Sequence, residues 1–566
     1  MIGRISLVFF AVFLALISTV ELDADTKIFG VSEIRPGMKG YGLTVFKGTE
    51  PERFEVEVVD VLERMLPKQD IILVKVSGHN LEETGIFQGM SGSPIFLDGK
   101  IAGALAYGWP YAKVSLAGIT PIENMLAEMQ RPLDSTPVAS STQKYKESYS
   151  YKDGQLVPVA SPVMVSGLPP SIMDELSEML GPYHLVPLQG GGASRPGSEP
   201  VNIKPGGAIG VSLVRGDIMM TAIGTVTWVE GSKVLAFGHP FINGGEVRFP
   251  ITAARILTLL PRVSVSTKMG SALGEVGSLI QDRQSCIVGD LDSRVSMVPF
   301  VMDIKNERTG REETVNTEIV WETNFSTRLM MILLRSALSY AEASIGENTA
   351  TTRIDVKFEG YPPVILENVY FNGSGPFNAA MLAPVMKMIF NPFEKVRIES
   401  MKINVKIDPE IKIAFIKRIW LEENEVAPGE TGRLHVVLAP FGMDEIEKVL
   451  EFTVPEDAQP GSKLLLGAVG GMSVIPQVAP PVDFTGYIDI FKSFYKSTDI
   501  VVVRQMTSIG ARVEGKVMTD LPPAAIRMLG APNATGPMIQ ADMDMSSIRT
   551  EWVILGKAAL PLNVAK

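Results

Sequence analysis

Two short motifs carry residues able to do chemistry. The first is Gly89-Met90-Ser91-Gly92-Ser93-Pro94-Ile95, which leads into an apolar run. A nucleophilic serine needs a sharp turn that exposes Oγ and aims backbone N–H groups at a developing oxyanion. Gly89 and Gly92 permit backbone conformations closed to residues with a Cβ. The same composition also suits a plain tight turn. The second motif is Gly238-His239-Pro240, after the strand-like Lys233-Val-Leu-Ala-Phe. There the imidazole is either a general base at a strand end or a structural histidine at a turn. Competitors are few. The chain has four histidines (His79, His184, His239, His435) and one cysteine, Cys286. A lone cysteine excludes an internal disulfide framework and a CxxC-type zinc site. No metal and no cofactor is expected.

The elements that must position these motifs read as mostly β. The chain has 566 residues, 46% hydrophobic and 20% charged, as in ordinary globular proteins. That length suggests three or four domains at ~150 residues each. Fifty-two basic against sixty-three acidic residues give a net charge of −11, which argues against a general nucleic-acid grip. Residues 54–59 and 71–76 have strand composition, and 95–97, Asp98-Gly99-Lys100 and 101–105 read as a hairpin. Residues 130–165 read as an exposed connector, 171–181 as a short helix and 190–197 as a flexible break. Residues 200–300 are β-rich again, and 326–343 read as a helix. From about 350 the chain is mainly strand and turn, with a helical stretch at 488–496 and a terminal strand at 551–562. The run from Glu425 through Gly432 into Arg433-Leu-His-Val-Val-Leu reads as the turn and strand of an immunoglobulin-like sandwich. At the start, Arg4, an uncharged stretch from Ile5 to Val20 and Ala24 fit a signal peptide cut after residue 24. A retained anchor is the other reading. The later apolar stretch 329–338 is too short to span and contains Arg335. The mature protein is therefore expected to be exported, extracytoplasmic (periplasmic or secreted) and free of a membrane span.

A G-x-S-G turn leading into a strand is how chymotrypsin-like barrels present their serine. More specifically, the sequence resembles the SpoIVB-type sporulation serine peptidases. The serine-bearing resemblance runs through Phe54-Glu-Val-Glu-Val-Val, Ile72-Leu-Val-Lys-Val, Gln88-Gly-Met-Ser-Gly-Ser-Pro-Ile and Asp98-Gly-Lys-Ile-Ala-Gly-Ala. A histidine-bearing resemblance runs through Gly206-Gly-Ala-Ile-Gly, Gly224-Thr-Val-Thr-Trp, Ala236-Phe-Gly-His239, Val276-Gly-Ser-Leu-Ile-Gln-Asp-Arg and Ile287-Val-Gly-Asp-Leu. By this resemblance Ser91 is the nucleophile and His239 the general base. By analogy with chymotrypsin-like enzymes, the N–H groups of Gly89 and Ser91 form the oxyanion hole. Two departures follow. The family places its histidine half first, so the halves here are in permuted order. The family's acid opens D-P-x-L-L-x-x-T-G-G ahead of the nucleophile; here that stretch is Ser77-Gly-His-Asn-Leu-Glu-Glu-Thr-Gly-Ile, and Ser77 stands where the Asp is expected. Ser77 is thus the candidate third member, with Asp282 or Asp290 as substitutes through space.

The expected fold is mainly β: a chymotrypsin-like double β-barrel core followed by β-sandwich accessory domains. The expected division is a signal peptide (1–24), a serine-bearing half (25–129), a connector (130–199), a histidine-bearing half (200–345), a β-sandwich region (346–480) and a C-terminal α+β region (481–566). The expected function is an exported serine endopeptidase acting on a protein substrate in the cell envelope. Two alternatives stand beside it. One is a catalytically weak or inactive peptidase-fold protein serving as a binding module, and the other is a β-sandwich surface protein. The remaining candidates are weaker. His79 reads as an exposed turn residue, His184 as a loop residue and His435 as part of a solvated strand face. Met381 to Met388 and Met538 to Met545 read as core filler and loop. Asn372-Gly-Ser and Asn533-Ala-Thr match the glycosylation tripeptide.

Overall fold

A computed structural model describes residues 27–109, 112–133, 156–190, 202–341, 347–373, 377–456, 458–476, 478, 480–506, 511–513, 516–518 and 543–566. The expected signal peptide, the Asn533 tripeptide and most of the 538–545 methionine segment lie outside these residues. The chain divides into two units. One holds residues 1–164, 180–211 and 221–294; the other holds 165–179, 212–220 and 295–566.

The first unit contains one barrel and most of a second. Strands Lys39–Thr44, Glu52–Leu66, Gln69–Ser77, Leu116–Pro121, Lys100–Gly108 and Pro94–Leu97 pair in that order, and the last pairs back to the first. This ring has no free edge, so no backbone row is left open to a foreign strand. Alternation drives it: in Glu52–Leu66, Phe54, Val56 and Val58 point inward while Glu55 and Glu57 face solvent. The hairpin forms as expected, with Asp98 at φ 47° and Gly99 at φ 74°, the positive pair that a two-residue turn between twisted strands requires.

The second ring runs Ala208–Gly216, Gly245–Leu260, Thr267–Asp282, Ile287–Asp290, Lys233–Ala236 and Met219–Glu230, with the last again pairing to the first. The expected mainly β, double-barrel architecture is therefore present.

The expected exposed connector is corrected where it is described. Strand Ser161–Ser166 is buried almost throughout, and Val157–Pro158 pairs with Lys100–Gly108. The apolar run Val163-Met164-Val165 explains the burial: a segment this apolar is stabilised by leaving water. The expected helix at 171–181 is found as Met173–Leu180.

In the second unit, strands Val364–Asn372, Asn348–Phe358, Ile398–Asp408, Val298–Asn306 and Arg311–Ile319 form a sheet with helices Thr323–Tyr340 and Phe377–Ile389 in the same unit. Met381 and Met388 are fully buried, as core filler should be. A β-sandwich follows. Its sheets are Ile446–Thr453, Thr431–Pro440, Ile413–Leu421, Val553–Leu555 and, opposite, Glu425–Val426, Lys557–Val564, Lys463–Gly470, Asp499–Met506, Met543–Arg549. Leu434, Val436, Leu438, Leu464, Leu466 and Ile500 share its core.

Two expected boundaries move as a result. Residues 295–345 belong to the second unit rather than to the histidine-bearing half. The last strands complete the sandwich rather than forming a separate α+β region. Among the described residues, no helix is long and apolar enough to cross a membrane.

Candidate active site

Ser91 sits in a turn that only glycines can close. Gly89 has φ +91° and Gly92 φ +93°. A Cβ on Gly92 would lie 2.0 Å from Thr225 O and 2.5 Å from the nitrogen of Phe237, so no side chain fits. The turn is pinned from both sides. Met90 N–H donates to Phe87 O, Gly92 N–H to Leu105 O and Ser93 Oγ to Met90 O.

The histidine motif docks on the same strand residue as the serine turn. Thr225 N–H donates to Ser91 O at 2.9 Å, Thr225 Oγ1 to Gly89 O at 3.0 Å, and Thr225 O accepts from Phe237 N–H at 3.3 Å. Thr225 is fully buried and joins the two motifs. Phe237 has φ 68°, and Gly238 N–H reaches back to Ala236 O, which closes a γ-turn of the rare positive-φ kind. A bulky residue in that region is strained, and such strain concentrates at functional sites. The Phe237 ring fills the space that a side chain on Gly224 would need.

The side chains of Ser91 and His239 are both buried, yet no hydrogen bond joins them. Ser91 Oγ has no hydrogen-bond partner. The imidazole meets two backbone carbonyls instead: Nδ1 lies 2.7 Å from Pro240 O and Nε2 lies 3.1 Å from Val159 O. Burial pushes its pKa down to about 4, with His184 adding to the drop and the two carbonyl contacts opposing it. A neutral ring carries one N–H. The shorter contact places it on Nδ1, which turns the Nε2 lone pair toward Val159 O. That is the tautomer a serine base needs.

Ser77 is not the third member. It ends strand Gln69–Ser77, paired with Glu55, and neither ring nitrogen of His239 meets it. Asp282 does not touch the ring either. Its buried carboxylate accepts the N–H groups of Phe241, Ile242 and Gly244 and so holds the loop that follows His239. Burial raises its pKa and these backbone bonds oppose the rise. Asp290 is engaged with Lys233.

The connector supplies what lies against the site. Val159 O meets His239, Ala160 O accepts from Gly89 N–H at 3.2 Å, Val159 N–H donates to Ala106 O, and Ser161 N–H donates to His184 O. One three-residue stretch therefore covers both the base and a candidate oxyanion donor.

Sequence reasoning gave His184 no part here, but its charge would be felt at His239, and burial lowers its own pKa. It also passed over Thr225 and Val159. Thr225 lay inside the Gly224-Thr-Val-Thr-Trp resemblance, so a signal existed; Val159 offered none. His79 is an exposed turn residue, stacked on Phe46 with Nε2 at 3.0 Å from Arg53 O. His435 lies on the outer face of its strand, away from the sandwich core, where it stacks on the exposed Trp420 at 3.7 Å and meets Glu447. No cluster of His, Cys, Asp or Glu suited to a metal occurs among the described residues.

The glycine-closed serine turn in a closed six-stranded barrel falls within a segment that a known family matches. Residues 15–126 match the family model SpoIVB peptidase S55. Over those residues the chain is similar to that peptidase family, and Ser91 lies inside the matched segment. The match ends before His239. No curated protein and no solved structure matches the chain. The likeness to the SpoIVB peptidases thus covers the serine half alone, and what links that half to the His239 motif is the set of contacts through Thr225.

Proposed function

We propose that the chain is an exported serine endopeptidase that cleaves a protein substrate of the cell envelope, with Ser91 as nucleophile and His239 as general base. The observation that carries this is the docking of both motifs on Thr225, beside a serine turn of the SpoIVB peptidase type. Nε2 would take the Ser91 proton as Oγ attacks the scissile carbonyl, then return it to the leaving amine. The N–H groups of Gly89 and Ser91 would stabilise the tetrahedral oxyanion. The Pro240 carbonyl takes the part of the missing acid in fixing the tautomer, although it brings no charge to hold the imidazolium.

Turnover requires Val159 to Ser161 to leave, because Val159 O and Ala160 O occupy the base and a hole donor. Once the ring is rehydrated, its pKa returns toward the ordinary value, which makes it a better base at neutral pH.

The second reading is a catalytically inactive envelope protein that keeps the fold as a binding module. The buried, unpartnered Ser91 Oγ and the doubly engaged His239 favour it. A fluorophosphonate probe separates the two. Labelling at Ser91 that is lost in Ser91→Ala supports the peptidase. A probe that labels no residue, even after the connector is loosened, supports the binding module.

A further inference from the structure

The proposed mechanism leaves one buried charged group unused. Lys268, on strand Thr267–Asp282, is 1% exposed. An ammonium so placed is costly unless hydrogen-bonded, and burial pushes its pKa down to about 7. Its Nζ donates to Thr44 Oγ1 at 2.5 Å and lies 6.0 Å from the centroid of the Phe46 ring.

We propose that Lys268 is a positioning residue for the oxyanion-binding turn, acting through Thr44 and Thr225 on the carbonyl of Gly89. This rests on Ser91 being the nucleophile. The hydrogens allow only one direction along the chain. Thr225 Oγ1 spends its proton on Gly89 O, so it can only accept from Thr44 Oγ1, 3.5 Å away. Thr44 then gives its proton to Thr225 and accepts from Lys268. The Thr44–Thr225 link is long, and a fixed donor at the head of the chain is what keeps Thr44 from turning away. Either protonation state of Lys268 supplies an N–H for this.

The main chain of the same residue completes the grip. Lys268 N–H donates to Gln88 O at 3.1 Å, and Thr267 Oγ1 donates to Gln88 Oε1 at 2.8 Å. In a planar trans peptide, C=O and N–H point opposite ways. Holding Gln88 O toward Lys268 therefore aims Gly89 N–H away from it, toward Ala160 O. Holding Gly89 O on Thr225 fixes the next peptide plane. With φ at +91°, Gly89 is the residue freest to rotate, so both of its flanking planes need anchors. A hole donor must be fixed before reaction to be worth its full effect.

The test is the saturation kinetics of fluorophosphonate labelling at Ser91 in the full chain. Lys268→Met and Thr44→Val each lower the maximal labelling rate by at least about tenfold, a fraction of the loss expected when a hole donor is removed outright. The half-saturating probe concentration stays within about twofold, because ground-state binding does not use the oxyanion donor. Thr44→Ser, which keeps the hydroxyl, recovers most of the rate. A packing role gives the opposite order, since Val fills the Thr44 site and Ser leaves a gap. The Lys268→Met/Thr44→Val pair is no slower than its slower single variant, because one chain is broken only once. Wild-type rate in Lys268→Met, the packing order at Thr44, or multiplying losses in the pair each overturn the inference. If Lys268→Met does not fold, the Thr44 variants decide. A chain that the probe leaves unlabelled even after the connector is loosened overturns the nucleophile reading and this inference together. Labelled wild type with equally labelled Lys268→Met overturns this inference alone.

Discussion

The carbonyl oxygen of Val159 lies 3.1 Å from Nε2 of His239, on the nitrogen that would receive the proton of Ser91. With Nδ1–H on Pro240 O, the two oxygen atoms compete for a ring that has one proton to give. Nε2 then has no proton to give Val159 O, so that contact is not a hydrogen bond, and the connector holds the site by its own burial.

Loosening that burial should open the site. Val159 is 8% exposed and packs in the serine-barrel core. Val159→Gly removes its side chain and frees its backbone, worth about 2 kcal/mol against the closed state. We expect labelling of Ser91 to rise by roughly tenfold or more, since each 1.4 kcal/mol is a factor of ten. Labelling kinetics of the two chains side by side check this, and an unchanged or slower rate refutes the connector as the obstacle.

Residue 77 should be silent. Ser77→Asp and Ser77→Ala are expected to label at the wild-type rate, because Nδ1 of His239 is held by Pro240 O. A faster rate in Ser77→Asp would place that residue back in the site.

Asp282→Asn should be severe. The carboxylate accepts three backbone N–H groups, and an amide offers one oxygen and turns an N–H toward the same donors. Leaving buried donors unpaired costs about 1–3 kcal/mol each. A lowered melting temperature together with slowed labelling is expected, and a stable variant with normal labelling would release Asp282 from the loop.

The buried lysine fixes a pH dependence of stability. Its folded pKa, about 7, lies below the ordinary lysine value of 10.5, so between these pH values the unfolded chain binds more protons than the folded one. Stability contributed by this group therefore rises as pH increases from 7 to 10.5, and below 7 the charged, buried form is destabilising. Lys268→Met should raise the denaturation midpoint near pH 6 by more than at pH 9. Equal shifts at both pH values would mean that Lys268 titrates normally.

A chain ending at residue 345 should fold poorly. Val298–Asn306 pairs with Ile398–Asp408 along its length, and helix Thr323–Tyr340 belongs to the same unit as that sheet. Truncation leaves a long strand edge bare, which invites aggregation. A soluble monomer of residues 25–345 with one cooperative transition would contradict this.

Much of this was legible in the chain itself, and for local reasons. Gly89 and Gly92 are required by a turn whose backbone no side chain can enter, so the motif announced its own conformation. Asp98-Gly99 specified a two-residue hairpin in the same way, and period-2 alternation in residues 54–58 marked a half-buried strand. That the serine turn and the Gly-His-Pro motif belong together was suggested only by the resemblance to the SpoIVB-type peptidases, because Gly238-His239-Pro240 by itself suits a structural turn as well. What the sequence could not carry were contacts made by backbone atoms, which every residue type has. Pro240 O in the place of an acid, Val159 O and Ala160 O over the site, and Asp282 gripping N–H groups rather than an imidazole depend on where the barrels bring these segments. The connector departs from its expected exposure for the same reason: burial of Val163 to Val165 depends on the sheet waiting for it. Lys268 was invisible because a lysine reads as surface by its type, and only the tertiary structure put it in the core.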